Sequence, residues 1–232
     1  MVKRTTKETL RSEAIRHIIK GIAEGRFEPG ERIVETKLAK ELDMSQAPVR
    51  EAVLELSIMG VLEERPYAGS FVRSPSGKEV DDHYKARALV EAYAASLAAQ
   101  RITKEELKEM EAILDSMKEC SDFEEFVDID QDFHEMIIDA ADNKVLKRLW
   151  SSVSVYELTY QTITLANKWT LVGLYEKHKR LYDVLKTGSG PAAMAEMYLH
   201  IDGFRAGVMS TRADKENEEE AGLRSSQKSS RK

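Results

Sequence analysis

Apolar residues recur at helical spacing through most of this chain and at strand spacing in one short stretch only. Over residues 8–24, Leu10, Ala14, Ile18, Ile19 and Ile22 return every three or four positions, which predicts an amphipathic helix ended by Gly25. Phe27-Glu28-Pro29-Gly30 reads as a turn. A second helix is expected over 35–42, a turn at Asp43-Met44, and a third helix from an N-cap at Ser45 to Met59, stopped by Gly60. Pro48 is tolerated in the first turn of that helix, where backbone N–H groups have no intrahelical partner. Leu38, Ala39, Leu42, Val49, Ala52, Val53 and Leu56 form the seam that sets the angle between the two helices. Residues 61–65 and 70–73 then alternate as strands around Pro66-Tyr67-Ala68-Gly69.

Ser74-Pro75-Ser76-Gly77 is the clearest linker, and beyond it strand signals vanish. Helical patterns follow one another over 78–101, 104–119, 122–141, 143–165, 167–187 and 190–211, which predicts an antiparallel bundle of about six helices. The fold expected is mainly α: an N-terminal unit of short helices with a small hairpin over 1–76, then an all-α bundle over 77–212. Residues 213–232 carry five acidic and five basic side chains and almost nothing apolar, so a disordered tail is expected there.

Composition narrows the function. No apolar run approaches the roughly 20 residues that a membrane helix needs, and the N-terminus shows no apolar export segment. The one cysteine, Cys120, excludes an internal disulfide and a cysteine-built metal site, and a cytoplasmic location is the natural expectation. The net charge of −6 is unevenly spread: residues 1–76 hold 13 basic and 12 acidic side chains, while the remainder hold 22 and 29. Lys3, Arg4, Lys7, Arg11, Arg16 and Lys20 gather positive charge where a phosphate backbone would be met.

Two short helices with a tight turn fit the DNA major groove, with the start of the second helix presented to base edges. Those residues are Ser45, Gln46, Ala47 and Arg50; Gln46 can pair bidentately with adenine, and Arg50 with guanine or a phosphate. The runs Gly30-Glu31-Arg32-Ile33-Val34-Glu35, Leu38 to Ala52 and Gly69-Ser70-Phe71-Val72 together resemble the winged helix-turn-helix of the GntR family of bacterial transcription regulators. That resemblance implies a dimer on an inverted-repeat operator of double-stranded DNA, with Thr36 and the wing's Gly69 added to the DNA-contacting set. Many members carry Ser-Arg-Thr-Pro-Val-Arg-Glu-Ala at the start of the reading helix; this chain has Gln46 and Ala47 at the second and third places, and Ala68 where the wing usually has arginine.

The second half holds four of the five histidines, His83, His134, His178 and His200. Asp130 and His134, four residues apart, share one helix face. With His178 and His200 from later helices, one carboxylate and three imidazoles suit a divalent ion, zinc foremost, with nickel or another as alternatives. Asp130 to His134, Asn143, Lys177 to Leu181, and Tyr198-Leu199-His200 resemble the FCD effector domain across residues 80–210. In its metal-binding members the ligands are one Asp and three His, which implies Asp130, His134, His178 and His200 here and leaves His17 and His83 outside the set. Such a site is a receptor for a small carboxylate effector, with Arg87, Glu91 and Asn143 as further effector contacts. Arg87 and Glu91 also read, equally well, as an intrahelical ion pair. The resemblance implies a regulator rather than an enzyme, with repression the commoner mode. A metal-dependent hydrolase and a sensor in which the ion itself is the signal remain the rival readings.

Overall fold

The computed structural model describes residues 9–154 and 169–229 of the chain. The described residues divide into two compact units, 9–75 with 152–154 and 76–151 with 169–229.

In the first unit, α1 (Leu10–Ala23) starts where the Thr9 hydroxyl accepts from the Ser12 amide at 3.1 Å. Then come β1 (Arg32–Ile33), α2 (Glu35–Glu41), α3 (Gln46–Ile58), β2 (Leu62–Arg65) and β3 (Gly69–Val72). The strands form an antiparallel sheet ordered β1-β3-β2, with Ile33 opposite Ser70 and Glu64 opposite Ser70 on the other side. β1 was not expected from the pattern, because two residues are too few to show an alternation. Ala14, Ile18 and Ile19 of α1 pack with Val49, Ala52, Val53 and Leu56 of α3, and all are buried. Of the expected seam, Leu42 alone is only half-buried.

The second unit contains α4 (Gly77–Arg101), α5 (Lys104–Glu119), α6 (Phe123–Ala140), α7 (described over 144–154, of which 144–151 fall in this unit), α8 (Leu171–Leu185) and α9 (Gly190–Ser229). Capping boxes give α4 and α5 their sharp starts: the Ser76 and Thr103 side chains accept from the Glu79 and Glu106 amides, and each glutamate reaches back to its cap. α4 packs along α9, α5 lies against α6 and α8, and α8 against α9. The buried face of α4 is built from Ala88, Ala92, Ala95 and Ala99, small side chains that let a neighbouring helix approach closely. Among the described residues no helix is long and apolar enough to cross a membrane.

The structure corrects the expected disordered tail. α9 continues to Ser229, through the segment 213–229. A helix already nucleated upstream propagates at low cost through a stretch rich in Ala, Glu, Lys and Arg, all good helix formers. Residues 230–232 of that expectation, the ends of the helices expected over 143–165 and 167–187, and Lys3, Arg4 and Lys7 lie outside the described residues.

Candidate nucleic-acid interface and metal centre

Ser45, Gln46, Ala47 and Arg50 all stand exposed at the start of α3, with Thr36 exposed on α2. Ser45 occupies the N-cap position, yet its side chain makes no capping hydrogen bond. Pro48, at the third helical position, removes one of the two amides from which a serine cap accepts. The Ser45 hydroxyl is thus left for another partner. Arg50 is 68% exposed, and its Nε donates to Glu35 on α2 at 3.1 Å, which steadies the guanidinium without burying it.

The wing carries two groups that the sequence pattern did not single out. Tyr67 stands at the hairpin tip, fully exposed and with a φ of +62°, a backbone conformation costly for a bulky residue. Arg32 on β1 runs beside Gly69, where an added Cβ would meet its Nε at 3.1 Å. Arg32 was hidden because the strand that positions it was not legible. In α1, Arg11 pairs with Glu55 at 3.2 Å and Lys20 with Glu24 at 3.8 Å, so part of the expected basic stripe is neutralised within the unit.

In the second unit the chemistry lies inside. Along α6, Phe126, Asp130, Phe133, His134, Ile137 and Ile138 share the buried face; α8 buries Leu174, His178, Leu181 and Leu185; α9 buries Met197, His200, Ile201 and Phe204. The histidines therefore occupy places in apolar stripes where a leucine would ordinarily sit. The ligand nitrogens of His134, His178 and His200 lie within 4.8 Å of one another. Asp130 stands beside two of the three, its Oδ1 at 2.8 Å from His178 Nε2 and 3.9 Å from His134 Nε2. His83 is half-buried against Tyr84 and is not in the cluster, and His17 faces Glu41 in the first unit at 3.1 Å.

Hydrogen bonds orient two of the three rings. His178 Nδ1 donates to the Leu174 carbonyl at 2.8 Å, which turns Nε2 toward the cluster, 2.8 Å from Asp130 Oδ1. His134 Nδ1 donates to Glu91, which turns its Nε2 toward the cluster in the same way. His200 has no hydrogen-bond partner at either nitrogen among the described residues.

Glu91 is fully buried and accepts from Arg87, His134 and, at 3.1 Å, Trp150 Nε1. Burial alone would raise its pKa; the charges of Arg87 and His134 overcome that and hold it at about 2. Burial likewise opposes the ionisation of Asp130, and His134 and His178 outweigh it to hold the carboxyl at about 2. Burial pushes His200 well below its ordinary value, reinforced by His178 and His134, so it is a neutral imidazole fit to bind a metal. Burial also works against a charged His134, but Glu91 and Asp130 raise it on balance.

The three expected effector contacts each have partners within the protein. Arg87 and Glu91 form the intrahelical pair, buried, with Glu91 orienting His134. The Asn143 side chain caps α7, its Oδ1 accepting from the Val145 and Leu146 amides at 3.1 and 3.2 Å. A groove of about 580 Å³ opens along α8, lined by Gly173, Lys177, Lys179, Arg180 and Asp183 among others; Lys177 and Lys179 flank His178 in sequence.

Comparison with known proteins bears on both units. Residues 10–72 match the family described as bacterial regulatory proteins, gntR family, and residues 82–203 match the FCD domain. A probable D-xylose utilization operon transcriptional repressor of Paenarthrobacter nicotinovorans is 30% identical over 205 residues, covering 87% of this chain and 90% of that protein. The HTH-type transcriptional regulator LutR of Bacillus subtilis is 29% identical over 205 residues, covering 78% and 92%. The solved structure of McbR/YncC from E. coli shares the fold, with a TM-score of 0.74 at 20% identity over 88% of this chain and 99% of that one.

Proposed function

This chain belongs to the GntR family of bacterial regulatory proteins and carries an FCD domain behind its DNA-binding domain, and from that premise we propose that it is a metal-dependent receptor as well as a DNA-binding transcriptional regulator. In this reading two copies bind an inverted-repeat operator in the bacterial cytoplasm. Each presents Ser45, Gln46, Ala47 and Arg50 to base edges, with Thr36, Arg32 and the wing around Tyr67 and Gly69 at the backbone and the adjoining groove. The Paenarthrobacter relative, a probable transcriptional repressor, favours repression.

The second unit then holds a divalent ion between His134, His178, His200 and Asp130. The observation that carries this is the set of nitrogens turned inward in a buried core: His178 Nε2 and His134 Nε2 both face the Asp130 carboxylate, and His200 meets no hydrogen-bond partner among the described residues. A buried polar atom left unsatisfied costs about 1–3 kcal/mol, and one ion removes several such costs at once. A bound ion would supply a Lewis acid with positions open to a small carboxylate. The chain's own residues do the rest. Glu91 and the Leu174 carbonyl fix the tautomers of His134 and His178, Arg87 keeps Glu91 ionised, and the apolar stripes exclude water. An effector need change operator affinity by only about 1–3 kcal/mol to switch transcription.

The test is a thermal-shift screen of organic acids on the protein as purified and after chelation, followed by operator gel shifts with any acid that binds. A shift that requires metal and alters operator affinity supports the reading. Operator affinity that follows free metal with no acid present makes the ion itself the signal. Metal analysis finding no ion, together with acid binding unaffected by chelation, overturns the metal centre.

A further inference from the structure

Around Phe204 on α9 stand three polar groups that meet no hydrogen-bond acceptor among the described residues. Trp169 packs its ring 5.7 Å from Phe204, and its indole N–H is buried without a partner. The Lys177 ammonium lies 4.6 Å from the Trp169 ring centre and 5.9 Å from that of Phe204. No carboxylate pairs with it among the described residues; Glu196, which acts on it at longer range, is bound to Arg180 at 2.6 Å. His200, 5.1 Å from Phe204, has two unpartnered nitrogens, so a metal that takes one leaves the other with a proton and nothing to receive it.

The helix beneath is shaped for this cluster. Gly203 and Gly207 sit one turn apart in the interior of α9, where glycine is less stable than alanine. A Cβ on Gly203 would stand 3.4 Å from Lys177 Nζ, and one on Gly207 would crowd the Trp169 indole at 3.1 Å. Both positions thus give up helix stability and leave room for the lysine and the tryptophan.

We propose that Lys177, with the Trp169 indole N–H and the outer nitrogen of His200, anchors a second carboxylate of the effector, which makes the effector a dicarboxylate. The inference rests on the reading of the histidine cluster as a metal-bound acid receptor. One carboxylate sits at the ion and the other at Lys177, a charged donor with no competing acid. The charge balance agrees: Asp130 and Glu91 against Arg87 and a divalent ion leave one positive charge, Lys177 adds a second, and a dianion cancels both.

The test uses the full chain with its metal content measured. Succinate and glutarate are titrated against butyrate and valerate, monoacids of matched length, by calorimetry and by tryptophan fluorescence. Trp150 and Trp169 are the chain's only tryptophans and both lie in the second unit, so the optical signal reports this site. A diacid should bind at least about tenfold more tightly than its monoacid partner. Lys177→Met should erase that advantage while leaving metal content and monoacid affinity unchanged, and Lys177→Arg should keep part of it. Equal affinities of diacid and monoacid for the unmodified protein, or a diacid preference that survives Lys177→Met, overturn the anchor and leave the acid receptor standing. If no acid of either kind binds the metal-loaded protein, the receptor reading fails and the anchor with it.

Discussion

The two units place their polar chemistry in opposite solvents. On α3 the candidate DNA contacts stand in water, Arg50 at 68% exposure, on a unit whose core is made of other residues altogether. In the bundle, Arg87, Glu91, Asp130, His134, His178 and His200 are each at most 4% exposed and fill positions that apolar side chains would otherwise hold. An exposed charge is solvated whether or not its partner is present, so recognition there is nearly independent of folding. A buried charge has only the protein around it, and its partners become part of the fold. Removing a side chain should therefore change binding alone in one unit and stability first in the other.

The sharpest break in that contrast comes from Glu91→Ala. It strips Arg87 of its buried counter-charge and His134 and Trp150 of their acceptor, and loss of one partner of a buried pair costs about 3–5 kcal/mol. Denaturant unfolding followed by tryptophan fluorescence should show that loss in the second unit. A change below about 1 kcal/mol, the level of an exposed pair, would mean the pair is not carrying the core. Chelation should come next. An ion held at a thousand times its dissociation constant stabilises by about 4 kcal/mol, so stripping it should lower the melting temperature reported by the same tryptophans. His178→Ala should remove most of that metal dependence, and His83→Ala should leave it intact.

Arg50→Ala should act in the reverse sense, weakening operator binding by about 1–3 kcal/mol in gel shifts at fixed salt, with the melting temperature unmoved. A variant that binds normally would remove Arg50 from the interface. The smallest effect is expected at the wing tip. Tyr67→Gly relieves the strained φ, so stability should hold or rise by up to about 1 kcal/mol, while operator affinity falls by less than for Arg50→Ala. Unchanged affinity would show that the exposed ring plays no part in binding.

Much of this was open to reading along the chain. The helix at Lys104–Glu119 falls on the expected residues, because Thr103 and Glu106 form a capping box visible in sequence and Cys120 ends the periodic run. The reading helix ends one residue before its expected limit, and α4 begins one residue early. His178 and His200 stood out as members of a one-carboxylate, three-imidazole set and within the segments that resemble the FCD domain. Glu91 was legible only as an effector contact implied by the resemblance or as a partner of Arg87, four residues away on its own helix. Its bond to His134 spans 43 residues, and its bond to Trp150 spans 59. The two-residue strand β1 escaped for a similar reason: it is held by pairing with β3, not by any pattern of its own.

By itself, then, the order of residues determined what depends on near neighbours: where helices start and stop, which face each one buries, and that the chain carries a DNA-reading helix pair followed by a bundle with acid and imidazole groups in its apolar stripes. Caps, turns and three-to-four-residue periodicity act over a single turn of chain, so they can be read there. Only the tertiary structure decided how those groups were spent. Asn143 went to a helix cap, Arg87 and Glu91 went to orienting a histidine, and Lys177, Trp169 and His200 came together around Phe204. Each of those outcomes turns on which hydrogen-bond acceptor lies within about 3 Å of a buried donor, and packing between distant helices settles that.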